Sequence, residues 1–157
     1  MENRLEMLRK EIDILVFKGA KSENIRMYIS HMYGVALFCT LLAKKRNMNV
    51  ELSTTCGMLH DIHYMTGGVS KNHALKGAEQ AEGILKALNV YNEDEIKIIT
   101  SAISKHSDKK TVHEPYDELL KDADVMDHCF YNADFPIAEW EKVRYRDILT
   151  EFDIIEG

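Results

Sequence analysis

Two prolines in 157 residues, Pro115 and Pro136, leave little to interrupt a helix, and the eight glycines are too few for a turn-rich chain. The rest is rich in Leu, Ile, Ala, Met, Glu and Lys, which favour helix, so an all-α fold is expected. Three cysteines, Cys39, Cys56 and Cys129, show no CxxC spacing. That argues against a cysteine zinc site or a disulfide scaffold, and reads as reduced, buried thiols in a reducing compartment. Positive charge is also short: 20 Lys and Arg stand against 26 Asp and Glu, a net charge of -6. A protein that coats nucleic acid needs a basic face, so nucleic acid remains only as a small, local substrate, and no stable nucleic-acid partner is expected. Residues 1–10 mix Glu and Arg with Leu and hold no continuous apolar run. Neither a signal peptide nor a membrane partner is expected, and the expected location is cytoplasmic.

The length suits one domain with a substantial core and is too short for two ordinary ones, so residues 1–157 are read as a single domain. Apolar periodicity divides it into helices. Leu5, Leu8, Ile12 and Leu15 mark a first one ending near Phe17. Ser22 can cap a long second helix over about 23–46, with Ile25, Ile29, Val35, Phe38 and Leu42 inward and His31 one turn before Val35. Ser53 offers a cap for a third helix, which delivers His60 and Asp61 just before a Tyr64–Gly68 loop. Asn72 can start a fourth, with His73 in its first turn. Asn92 caps a fifth that carries Ile96, Ile99, Ile103 and His106 on one stripe. Pro115 suits the start of a sixth, where Leu120, Asp124 and Asp127 or His128 share a face. Phe135-Pro136 is expected to open a last helix through Trp140, Val143, Ile148 and Phe152.

Six of these residues carry chemistry. The adjacent pair His60-Asp61 sits at a helix end, and His31, His73, His106 and Asp124 lie on helical segments, each on the apolar side. Taken singly, a histidine on an apolar face is usually a satisfied core residue, and an aspartate near a helix start is usually a cap. Together they form an expensive set of buried polar groups unless something satisfies them jointly. Imidazole with carboxylate suits a divalent cation such as Fe, Mn, Zn, Ni or Co, which can make water a nucleophile at neutral pH.

The segments His31–Ala36, Gly57–Ile62, His73–Ala78, Ile99–His106 and Asp122–Asp124, in this order, resemble the HD-domain metal-dependent phosphohydrolases. The resemblance centres on a motif core of about residues 25–130 and is closest to small stand-alone bacterial members. It implies a compact multi-helix HD-domain bundle. It implies that His31, His60, Asp61 and Asp124 bind one metal, and that His73 and His106 with a bridging Asp61 bind a second, for which magnesium is also admissible. The implied reaction is hydrolysis of a phosphate ester or anhydride, of a nucleotide or dinucleotide, by a hydroxide held between the cations, with Asp61 and His60 as the catalytic pair. Tyr64 stands where cyclic-di-GMP phosphodiesterases of the superfamily usually have a lysine, and no Gly-Tyr-Pro motif follows, so that subclass is not expected. Lys71, Lys105, Lys109 and Lys110 lie in or beside the loops leaving the ligand-bearing helices and are candidates to contact phosphate, although each is more often a solvated side chain. Tyr64 could stack on a base or be a plain helix-end aromatic. The Gly67-Gly68 loop is a candidate lid, His63 a candidate acid beside the doublet, and His113 an exposed loop residue. A homodimer stays open. The alternative function is a degenerate HD domain that binds a nucleotide for signalling without turning it over.

Overall fold

The computed structural model describes residues 3–131, 134 and 136–155. Among these it has eight helices and no strand, as the composition predicts. α1 (Arg4–Gly19) is capped by Asn3, whose side chain accepts from the Leu5 N–H, and it buries Leu8, Ile12 and Val16 at four-residue intervals. α2 (Ser22–Lys45) begins at Ser22 itself, with no side-chain cap at Lys21, so the expected Ser22 cap is not formed. α3 (Val50–Leu59) starts earlier than the Ser53 cap predicts, because Asn49 already accepts from the Leu52 N–H. The Ser53 hydroxyl lies inside the helix and donates back to the Asn49 carbonyl at 2.8 Å.

A four-residue helix that the sequence did not suggest, α4 (Ile62–Met65), follows the doublet directly. Next come α5 (His73–Leu88), α6 (Glu93–Lys105) and α7 (Pro115–Tyr131). Asn92 and Glu95 form a reciprocal capping box at the start of α6. The last helix, α8 (Lys142–Glu151), begins six residues after Pro136. Pro136, Ile137 and Ala138 are irregular, so proline here precedes a turn rather than opening a helix; Phe135 lies outside the described residues.

α2 is the centre of the bundle, with α3 and α7 packed against it. It is also long and apolar enough to cross a membrane, by length and composition alone. Two glycines allow the close approach of its neighbours. A Cβ on Gly57 would lie 2.8 Å from the Ala36 Cα, and one on Gly34 would lie 1.8 Å from Asp127 Oδ1. Ile25 and Ile29, expected inside, are only half buried, while Met32, Val35, Cys39 and Leu42 fill the core. Polar clamps fasten the periphery. Arg4 joins α1 to Glu51 and Glu95, and Arg46 and Arg144 both hold Asp122 of α7, at 2.6 Å each.

Candidate metal centre

Five segments deliver six side chains to one region of the bundle. His31 comes from the middle of α2. His60 closes α3 and Asp61 follows at once, in a backbone conformation (φ -110°, ψ 20°) that leaves the helix and turns the carboxylate back beside the imidazole. Adjacent residues of an unbroken helix would diverge by about 100°, and the break at Asp61 removes that obstacle. His73 is the first residue of α5, His106 the residue after α6, and Asp124 lies within α7.

The six divide into two triads. His31, His60 and Asp124 form one, and Asp61, His73 and His106 the other; within each, the ligand atoms lie within 4.8 Å of one another. Asp61 also reaches both. Its Oδ2 is 3.7 Å from His31 Nε2 and 3.6 Å from His60 Nε2, while its Oδ1 is 3.4 Å from His73 Nε2 and 3.3 Å from His106 Nε2.

The histidines are oriented alike. His60 Nδ1–H donates to the Gly57 carbonyl at 2.7 Å, His73 Nδ1–H to Ser70 at 2.9 Å and His106 Nδ1–H to Ile103 at 2.7 Å. A carbonyl can only accept, so each neutral ring must present a bare Nε2 to the centre. His31 Nδ1 is held at 2.7 Å by Asp127 Oδ2. This is the outer support that orients imidazole ligands in metal sites.

The inward atoms then face each other with nothing to share. His73 Nε2 is 3.2 Å from His106 Nε2, and Asp61 Oδ1 beside them is buried with no hydrogen-bond partner. Three lone-pair donors around one point need a positive charge between them, and a divalent cation fits that donor set.

Electrostatics agree with this arrangement. Burial pulls the His60 imidazole down to about 4, keeping it neutral and able to donate its lone pair. Burial disfavours a charged Asp124, but Lys109, His128 and His60 outweigh it and hold its carboxyl well below the usual range. Asp61 is held low too, its burial outweighed by His60 and His106.

The candidate substrate residues scatter. Lys109 is turned inward: its ammonium sits 2.5 Å from Asp124 Oδ2 and 2.7 Å from the His106 carbonyl, bracing two of the six residues, and it lines a small cavity with Asp61, His73 and His128. Lys105 pairs with buried Asp117 at 2.7 Å. Lys71 and Lys110 are exposed. Tyr64 stands edge-on to Tyr28, with ring centroids 5.5 Å apart, and both line a cavity beside the centre. The Gly67-Gly68 turn bonds back to Tyr64 and His63 and packs on Gly19 at the end of α1. His113 is half buried rather than exposed, its ring nitrogen 2.7 Å from the ammonium of buried Lys121.

Three neighbours of the centre escaped sequence reasoning as parts of it. Asp127 orients His31. His128 stacks on the His31 ring at 5.3 Å, approaches Asp124 Oδ1 at 3.4 Å and is fixed by Glu141 at 2.9 Å, which raises it to about 9. Asp127 and His128 follow Asp124 by three and four residues, so helical phase was a readable signal for them. Glu141 precedes α8 and offered none.

Residues 28–131, two thirds of the chain and all six converging side chains, match the HD domain family. The chain belongs to that family. No curated protein matches its sequence. A crystal structure of a predicted HD superfamily hydrolase from an uncultured Thermotogales bacterium has the same fold. The TM-score is 0.64 at 22% identity, over 97% of this chain and 95% of that one. In the HD domain described here, the doublet that names the family is the junction of the two triads.

Proposed function

We propose that this HD domain is a metal-dependent hydrolase of phosphate esters or anhydrides, and that His31, His60, Asp61 and Asp124 would hold one divalent ion and Asp61, His73 and His106 a second. The observation that carries this reading is Asp61, whose two oxygens face different triads at 3.3–3.7 Å. Bound first-row ions at such a site lower the pKa of water towards neutrality and neutralise phosphoryl oxygens, the two-metal template for phosphoryl transfer to water. The protein supplies the rest. Asp127 and three backbone carbonyls fix the four imidazoles, Lys109 holds Asp124 by its outer oxygen, and His128 keeps a proton beside Asp124 with Glu141 as its partner. The Thermotogales relative, a predicted hydrolase, is consistent with this chemistry. Nucleotides are the substrate class that the family resemblance suggests for a first panel.

The test is metal content of protein purified without a histidine tag, followed by phosphate release from a panel of phosphorylated compounds. Turnover should vanish with a chelator and return with Mn, Fe, Co or Ni. Asp61→Ala should lose both metal and turnover. A folded Asp61→Ala protein with wild-type turnover would assign the activity elsewhere, and silence across the panel with both triads loaded would favour a binding module without catalysis.

A further inference from the structure

A cavity of about 480 Å³ opens beside the centre on the side of His31, Asp61 and His128. We infer, on the hydrolase reading above, that it seats the organic part of the substrate, and that the substrate is a monophosphate ester of an apolar alcohol or phenol. The volume lies within the usual range for small-molecule sites and exceeds the roughly 150 Å³ that holds a benzene ring.

The walls away from the centre are mainly apolar: Met27 and Tyr28 of α2, Tyr64 and Met65 of α4, Tyr131 of α7, and Ile137 and Ala138 before α8, with the Ser30 hydroxyl among them. The Cys129 thiol on the same wall is pushed up to about 11 by burial, so it too is uncharged.

The polar groups are at the centre's end, and most are already engaged. Asp127 holds His31 and Glu141 holds His128. Among the described lining residues there is no lysine, no arginine and no carboxamide. A second phosphate seated in this cavity would therefore meet the carboxylates of Asp61, Asp127 and Glu141. That disfavours anhydrides and polyphosphates. A nucleobase would bury its amide and ring-nitrogen edges on a largely apolar lining where, among the described residues, only the hydroxyls of Ser30, Tyr28, Tyr64 and Tyr131 offer polar atoms away from the centre, and unpaired polar edges are what a pocket rejects most strongly. A phenyl ring or short alkyl group loses nothing there and gains contact with the tyrosine rings. The reaction is a plain hydrolysis: water oxygen bonds to phosphorus, the ester P–O bond breaks, and the leaving alcohol takes the proton while inorganic phosphate remains.

Binding of non-hydrolysable phosphonates to manganese-loaded protein, read by calorimetric titration, tests this without turnover. Phenylphosphonate should bind at least tenfold more tightly than methylphosphonate, and no less tightly than the methylene-phosphonate analogue of adenosine monophosphate. Met27→Asp, at an exposed position of α2, and Ile137→Asp, before α8, should each bring the phenyl-to-methyl ratio below threefold. A wild-type ratio under tenfold, tighter binding of the adenosine analogue, or a ratio unchanged in both variants would overturn the apolar subsite and leave the hydrolase reading standing. Failure of all three phosphonates to bind would overturn both.

Discussion

Gly34 lacks a side chain for a reason that lies on another helix. A Cβ there would enter Asp127 Oδ1 at 1.8 Å, and Asp127 is the residue that fixes the His31 ring. Gly34→Ala should therefore act on metal binding before it acts on folding. Removing such outer support typically weakens metal affinity 10–100-fold, a loss that competition with a chromogenic chelator would measure, and affinity within twofold of wild type would contradict this role. Lys109 makes the parallel case. Lys109→Met should lower metal affinity and thermal stability, because Asp124 and the His106 carbonyl lose their brace, whereas a phosphate-binding lysine would show itself in KM alone. The residue types and phase of the six converging side chains were legible in the sequence, since an imidazole or carboxylate on an apolar stripe asks for a partner. The fate of the lysines was not. Lys105 and Lys109 are taken by Asp117 and Asp124, residues 12 and 15 positions away that only tertiary packing brings near.

Among the elements, those with local chemical signals were readable and the others were not. The start of α6 announces itself through Asn92 and Glu95, and Asn92→Ala should cost about 1 kcal/mol in chemical denaturation, the ordinary worth of such a cap. α4 is a single turn, too short to show a period, and the start of α8 is hidden because a proline that can open a helix here precedes an irregular stretch. α1 is held to α6 by Arg4 on Glu95, a contact 91 residues apart that no pattern suggests. The Arg4 hydrogen bond is the main reason that Glu95 ionises below its ordinary 4.5. A carboxyl depressed in the folded state stabilises fully above its unfolded value and loses that contribution as pH falls from about 4.5 through the lower folded one. Amide protection factors near the start of α1, corrected for the intrinsic pH dependence of exchange, should therefore fall over that acidic window in wild type and already be low at pH 7 in Arg4→Met. Equal protection in the two proteins at pH 7 would remove the clamp from the account.

For the molecule as a whole, ions held by the two triads would crosslink α2, α3 and α7 on one side and α3, α5 and α6 on the other. At a hundredfold excess over the dissociation constant, binding adds about 2.7 kcal/mol, on the order of 5–10 °C in melting temperature for a chain of this size. Scanning calorimetry with manganese and with a chelator should show that gap in wild type and none in Asp61→Ala; no gap in wild type would mean that no ion couples to the fold. The two triads differ in what carries them. His60 and Asp124 are buried on helices locked into the core, whereas His73 is partly exposed and hangs from Asn72, which sits in the left-handed region (φ 58°), and from the Ser70 carbonyl. The seventy-second residue thus acts as a latch for one ligand only. An ion on the His73 side would therefore be released by a change in a short surface segment, whereas one beside His60 would need helices to part. Isotope exchange of bound manganese should accordingly run in two phases, and Asn72→Ala, which strains the latch, should quicken the faster phase alone.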